Sequence, residues 1–340
     1  MNYLSICSGI EAASVAWHNL GWKPLAFSEI EKFPSAVLAH HWPDVPNLGD
    51  MTKYNDWPTI KPELVVGGTP CQAFSIAGLR KGLDDPRGNL TLTFLGILAK
   101  YRPKWVVWEN VPGILSDRTG AFGSFLSGLS ELGYGFAYRI LDAQHFGVPQ
   151  RRRRVFVVGC IGSWASAAAV LFERESLCWN HKESRDERKE VARCSAPTVA
   201  SGKSTIGTLM ANSGTKLWLG NQEAFSGDYR IVHPIVFHPT QDQISSQTGI
   251  THAIGCGSSN GQASIAIASE AHVRRLTPIE CERLQGFPDN HTHISWNGKP
   301  ADQCPDGPRY KAIGNSMAVP VMRWIGERIQ HIQNIQNSTL

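Results

Sequence analysis

No apolar run in the 340 residues approaches the roughly 18 needed to cross a bilayer. The first residues, Met1 to Ser5, lack the basic stretch followed by an apolar stretch that marks a secretory leader. A soluble chain that stays in the cytoplasm is therefore expected. Cysteine is sparse: eight residues, none in a Cys-x-x-Cys pair, which argues against a disulfide scaffold, a zinc ribbon or a redox motif, so no metal is expected. An excess of one charge is missing too. A net charge of +4 does not by itself call for nucleic acid, so any phosphate-binding surface must be local. Internal repeats are absent. What remains, 42% hydrophobic and 18% charged, is the composition of a packed globular protein.

The first 160 residues alternate two kinds of segment. Tyr3–Cys7, Pro24–Ser28, Leu64–Val66, Trp105–Trp108 and Val155–Val158 read as strands. Glu11–Trp17 with Gly21 as its stop, Lys32–His40 and Leu90–Lys100 read as helices. Such alternation predicts an α/β domain on a largely parallel sheet, where ligands bind beyond the carboxyl ends of strands. After Gly162 the character changes. From Glu173 to Arg193, 12 of 21 residues are charged, with mixed sign, as in a solvated helix or linker. From Thr198 to His272 only seven charges remain among Ser, Thr, Gly and Asn, which suggests a small loop-rich domain. Thr277-Pro278-Ile279-Glu280 then reads as a capping box, and Met317 to about Gln333 as a final helix.

Several residues sit where such a sheet puts chemistry. Cys71 follows Gly67-Gly68-Thr69-Pro70 directly after an apolar strand, making it either a small buried hydrophobe or a nucleophile. Glu109, leaving the strand Trp105–Trp108, is placed where desolvation raises a carboxyl pKa and suits it to donate a proton; it could equally cap a helix. In Gln150-Arg151-Arg152-Arg153-Arg154, alternation along an extended chain would put Arg152 and Arg154 on one face, suited to phosphate or a base carbonyl. Ser8-Gly9 turns out of the first strand, and Glu29 ends the second about twenty residues later. That is the spacing at which a carboxylate accepts ribose hydroxyls. Asp50, after Gly49, could accept from an adenine amino group.

In order and content these features resemble the DNA cytosine-5 methyltransferase family over nearly the whole chain except about 162 to 272. Gly68-Thr69-Pro70-Cys71-Gln72-Ala73-Phe74-Ser75 is similar to its Pro-Cys-Gln loop, Glu109-Asn110-Val111 to its Glu-Asn-Val motif and Gln150–Arg154 to its Gln-x-Arg-x-Arg motif. Arg275-Leu276-Thr277-Pro278 through Leu284–Asp289 resembles the helix framing the target-recognition region, and Tyr310–Ser316 the last motif, which completes the cofactor site. One departure stands out. The first motif, Ile6-Cys7-Ser8-Gly9-Ile10-Glu11-Ala12, keeps only Gly9 where the family has several glycines, and Cys7 takes the place of an aromatic residue.

The resemblance implies a Rossmann-like methyltransferase domain at 1–164, a linker and target-recognition domain at 165–272, and a return segment at 273–340 completing the catalytic domain. It implies S-adenosylmethionine as cofactor, held by Ser8, Gly9, Ile10, Glu29, Ile30, Asp50, Met51, Pro70, Asn89, Leu90, Asn315 and Ser316. Cys71, Glu109, Arg152 and Arg154 are the implied catalytic residues. The glycine-punctuated loop 72–89, with Gln72, Ser75, Arg80, Lys81 and Arg87, is the implied lid on duplex DNA, closing over a cytosine rotated out of the stack. The expected partner is duplex DNA, bound by a monomer, with a cognate restriction endonuclease conceivable but not as a stable complex. Two alternatives stand beside this: a transfer-RNA cytosine-5 methyltransferase, which can carry the same motifs, and a non-catalytic DNA-binding homologue that keeps the fold, against which intact Cys71, Glu109 and Arg154 argue. A thiol hydrolase would need a histidine orienting Cys71, and neither His40 nor His145 lies in a matching motif.

Overall fold

Short apolar runs with no polar alternation belong in the middle of a sheet covered on both faces. In the computed structural model β1 (Asn2–Ile6), β3 (Leu64–Gly67) and β4 (Trp105–Asn110) fill that place, with Leu4, Ile6, Leu64, Val65, Trp105 and Val107 fully buried. The structure describes residues 1–70, 90–117, 120–172 and 273–338, together with strand pieces at 235–237, 256–257, 262–263 and 266–268. Cys71, Gln72, Ser75, Arg80, Lys81, Arg87 and Asn89 lie outside the described residues, as does most of 173–272.

With β2 (Lys23–Ser28), β5 (Tyr134–Asp142) and β6 (Arg153–Ile161) the strands form one six-stranded sheet in the order β2-β1-β3-β4-β6-β5. β1 runs parallel to β2 and β3, and β3 parallel to β4, but β6 is antiparallel to β4. The sheet is thus mixed at one end. β5 passes to its neighbour β6 through the short segment 143–152, with no crossover α-helix to bring the chain back parallel. Strand order reverses between β1 and β3, the switch point at which open α/β sheets bind ligands.

The helices expected from sequence appear as α1 (Ala12–Trp17), α2 (Lys32–His41) and α3 (Leu90–Tyr101). The sequence reading omitted α4 (Ala121–Glu131) and β5. Residues 121–131 hold Gly, Ser and Phe in place of strong helix formers, and packing of Phe122, Phe125 and Leu129 on the core overrides that weak propensity. α5 (Trp164–Leu171) follows β6. α6 (Pro278–Gln285) starts with the expected capping box, Thr277 N donating to Glu280 Oε2 at 2.7 Å. α7 (Asp306–Asn315) and α8 (Val319–Ser338) complete the described helices.

The chain falls into two compact units, Met1–Leu141, Arg153–Cys178 and Met322–Leu340 in one, Asp142–Arg152 and Trp179–Val321 in the other. Of the return segment expected at 273–340, residues 322–340 cluster with the first unit and 273–321 with the second. In the first unit, Trp17 Nε1 donates to Met322 O at 2.7 Å, Trp22 Nε1 to Gln330 Oε1 at 2.8 Å and Trp105 Nε1 to Gln333 Oε1 at 3.1 Å, so α8 is tied down by three indoles. In the second, the strand pieces β7 (Ile235–Phe237), β10 (Ala266–Ala268) and β11 (Val273–Arg275) form an antiparallel sheet, and β8 (Cys256–Gly257) pairs with β9 (Gln262–Ala263). Among the described residues no helix is long and apolar enough to cross a membrane.

Gly67 sets a packing limit. A Cβ there would stand 2.7 Å from Ile6 O and 3.0 Å from Phe94 Cε2, so only glycine lets β1, β3 and α3 approach this closely. Gly67→Ala is expected to lower unfolding stability by about 1–3 kcal/mol in a denaturant titration. An unchanged midpoint would show that the strands separate at no cost.

Candidate active site

The turn after β1 carries unusual backbone. Cys7, Gly9 and Glu11 all have left-handed φ, at 52°, 56° and 62°, and two of the three bear side chains. Glu11 compensates locally. It is the N-cap of α1, its Oε1 accepting from Ser14 N and Ser14 Oγ, both at 3.1 Å, and its Oε2 from Ser5 Oγ at 2.7 Å. Its side chain is only 1% exposed, and burial pushes its carboxyl up to about 7 against the opposing effect of those hydrogen bonds. Cys7 lies 3.5 Å from Met51 Sδ. Burial first, then the charges of Glu29 and Asp50, push its thiol up to about 12, so it stays protonated and is no nucleophile.

Glu29 closes the turn from the other side. Its Oε2 accepts from Gly9 N at 2.8 Å, while Oε1 accepts from Ile30 N at 2.8 Å and Glu31 N at 2.7 Å. Burial raises its pKa and these backbone donors oppose the rise. Asp50 caps the 3-10 turn Met51–Asp56, spending Oδ1 on Thr52 N and Thr52 Oγ1. Next to Glu29, Ile30 holds its side chain in the open at 71% exposure. A Cβ added to Gly9 would meet nothing within 4 Å. An open turn, two carboxylates and a free apolar side chain fit a nucleoside. Ile10 and Met51 are buried, and half-buried Leu90 starts α3.

The sequence reading overlooked Asn47. Its Oδ1 accepts from Glu29 N at 3.0 Å and Gly49 N at 3.1 Å, and its Nδ2 donates to Glu29 O at 3.0 Å and Ser35 Oγ at 3.1 Å. One amide therefore holds the loops of both Glu29 and Asp50. The only hint in sequence is an Asn two residues before Gly49, a spacing too common to single out.

At the next strand ends, the parallel register sets Gly67 of β3 against Trp108 of β4. Buried Asn110 donates from Nδ2 to Thr69 O at 2.9 Å and accepts from Val111 N, and Trp108 Nε1 donates to Thr69 Oγ1 at 3.2 Å. The chain is thereby fixed two residues ahead of Cys71. Exposed Pro70 is the last described residue before it. Glu109, between Trp108 and Asn110, has Oε1 3.1 Å from Arg154 Nε, with both side chains 13% exposed. The contact is an ion pair and not a hydrogen bond, and among the described residues Glu109 Oε1 has no hydrogen-bonding partner. A buried carboxylate oxygen held only by charge is free to exchange that contact for a ligand donor.

Arg152 and Arg154 take different partners. β6 begins at Arg153, so Arg152 precedes the strand and escapes its alternation. In the second unit Arg152, 3% exposed, donates from Nη1 to Gly314 O at 3.2 Å and from Nη2 to Ser316 O at 2.7 Å. Gln285 Nε2 joins it on Ser316 O at 3.0 Å and on Ile313 O at 2.9 Å, and Gln150 Nε2 donates to Leu284 O at 3.2 Å. Arg152 thus supports the backbone on either side of Asn315.

The chain is similar to known proteins over nearly its whole length. Residues 1–331 match the model of C-5 cytosine-specific DNA methylase. The chain is 30% identical to the type II methyltransferase M2.BsuMI of Bacillus subtilis, covering 97% of this chain and 75% of that one, and 28% identical to M.HpaII of Haemophilus parainfluenzae, covering 96% and 88%. It is 38% identical to a phage P1 protein named DNA N-6-adenine-methyltransferase, over 96% of this chain but only 61% of that protein's length. Among solved structures, the Dnmt2 methyltransferase of S. pombe superposes with a TM-score of 0.62 at 16% identity over 98% of this chain and 99% of that one.

Asn47→Ala frees the loops of Glu29 and Asp50 together and is expected to lower unfolding stability by about 1–3 kcal/mol in a denaturant titration, equivalent to one or two lost hydrogen bonds. Glu11 gives a pH signature. With its folded pKa above the ordinary 4.5, the folded state holds the extra proton between about pH 4.5 and 7, so this group's contribution to stability declines as pH rises through that window. Glu11→Gln should therefore gain on the wild type by up to roughly 3 kcal/mol between pH 5 and 8 in denaturant titrations. A pH-independent difference would place the Glu11 pKa at its ordinary value.

Proposed function

The chain belongs to the C-5 cytosine-specific DNA methylase family, and from that premise we propose that it methylates C5 of cytosine in a specific duplex DNA sequence, with S-adenosylmethionine as donor. The observation that carries this reading is the pairing of Glu109 of β4 with Arg154 of β6, next to β3, whose continuation is fixed at Thr69 by Asn110 and Trp108, two residues before Cys71 in sequence.

Cytosine C5 is a weak nucleophile. Cys71, as thiolate, adds to C6 and forms a carbon–sulfur bond while Glu109 protonates N3, so the displaced electron pair does not accumulate as ring anion. C5 then carries the electron density. Arg154 turns from Glu109 toward the base carbonyl as the base enters, and Arg152 holds the backbone around Asn315 in place. After methylation, solvent water takes the C5 proton, the C5–H pair restores the C5=C6 bond as the Cys71 sulfur leaves with its bonding pair, and N3 returns its proton to Glu109. S-adenosylmethionine supplies an electrophilic methyl group on a cationic sulfur. In this reading Glu29 takes its ribose, Ile30 and Asp50 its adenine and the Ser8–Gly9 turn its methionine end. Lid closure and base flipping are assigned to 72–89, with Gln72, Ser75, Arg80, Lys81 and Arg87, and target readout to the region around 165–272.

A second reading comes from the phage P1 relative, whose name assigns it to adenine N6. Methylation of an exocyclic amine uses the amine's own lone pair and needs neither a thiol adding to the ring nor an acid at N3. The Pro70-Cys71 and Glu109-Asn110 motifs favour C5.

Transfer of labelled methyl to duplex DNA and to transfer RNA, followed by nucleoside analysis, separates these readings. The expected product is 5-methyldeoxycytidine from duplex DNA, with Cys71→Ala losing at least about 10³-fold in rate and Glu109→Gln about 10²–10⁴-fold. N6-methyladenine, label on RNA alone, or full activity in Cys71→Ala would each overturn the proposal.

A further inference from the structure

The family resemblance leads one to expect glycines after Gly9, yet a buried glutamate stands at the end of the turn. Its bonds form a closed circuit. Ser5 Oγ donates to Glu11 Oε2 at 2.7 Å, Glu11 N donates to Ser8 O at 3.0 Å, and Ser8 Oγ donates back to Ser5 O at 3.0 Å. From this circuit two links reach the neighbouring strand: Ser8 N donates to Ser28 O at 3.1 Å and Ser28 N to Ser8 Oγ at 3.2 Å. A third reaches Glu29, through Gly9 N. The turn is therefore cross-tied to β2 and to the loop that bears Glu29, and Glu11 is the member that joins β1 to α1. Left-handed backbone is disfavoured at non-glycine Cys7 and Glu11, so the turn keeps this shape only while something overdetermines it. Among the described residues no cation pairs with Glu11, so the carboxyl is not present to balance a charge.

We propose that Glu11 is a positioning residue for the cofactor: its carboxyl, bridging Ser5 and Ser14, locks the Cys7–Gly9 turn in the form that joins Glu29 and leaves Gly9 open to the ligand. Side-chain hydrogen bonds here do what backbone freedom does where glycines are present, and they give a preorganised surface instead of one shaped on binding. This assignment rests on the reading of the first unit as the S-adenosylmethionine site.

Binding of S-adenosylmethionine and of S-adenosylhomocysteine is measured by calorimetry on the full chain, alongside thermal unfolding of the ligand-free proteins. Glycine suits a φ of 62° better than any other residue, so Glu11→Gly removes the tie and relieves the backbone together. It is expected to bind both ligands at least about tenfold more weakly despite that relief, whereas Glu11→Gln, which keeps the shape and an acceptor, stays within about threefold of the wild type. Ser5→Ala cuts the same tie from β1; it should weaken binding in the wild-type background and add little in Glu11→Gly. Wild-type affinity in Glu11→Gly, equal losses in the glycine and glutamine variants, or additive losses with Ser5→Ala would overturn the assignment. Failure of the wild type itself to bind either ligand would instead overturn the cofactor reading, and the role of Glu11 with it.

Discussion

The close approach of β1, β3 and α3 at Gly67 is the constraint from which the site follows. With Ile6 O only 2.7 Å from where a Cβ would lie, β3 packs tightly between β1 and β4, and all three strands end at the same edge. That edge receives the Ser8–Gly9 turn from β1, Thr69–Pro70 from β3 and Glu109 from β4. Because the pairings are parallel, their carboxyl ends lie side by side without long loops to fold back. The carboxylates at the edge are stabilised chiefly by backbone N–H groups and hydroxyls; Glu109, paired with Arg154, is the exception.

Much of this was legible in the residues. β1, β3 and β4 are continuous apolar runs bounded by glycine or polar residues, and the capping box at Thr277 announces α6 by its own chemistry. Glu29 was legible because the spacing from Ser8-Gly9 reflects one turn of a βαβ unit. α4 and β5 were not, since Ala121–Glu131 reads as a weak helix and becomes one through the core contacts of its phenylalanines. The reversal of β6 was hidden because periodicity carries no strand direction.

The site residues divide in a similar way. Motif-bearing positions such as Glu109 and Arg154 stand out in the chain, and the structure brings these two together. Asn47 and Glu11 do not stand out: each acts through hydrogen bonds to backbone and hydroxyl groups that only the folded chain brings near. Arg152 looked like a twin of Arg154, but strand alternation holds only inside a strand, and β6 starts one residue later.

The run Gln150–Arg154 also bears on how this chain could be rebuilt. Gln150 and Arg152 belong to the second unit, where they hold Leu284, Gly314 and Ser316, while Arg154 belongs to the first and pairs with Glu109. The seam between the units passes through five consecutive residues. A chimera that imports only residues 165–272 from a relative would leave this bracket with its original partners. One that imports 273–321 as well must carry 142–152 with it, because foreign backbone at Leu284 and at 314–316 would meet a glutamine and an arginine placed for another. Modularity in this chain is therefore set by hydrogen bonds 134 to 164 residues apart in sequence, not by where the composition changes.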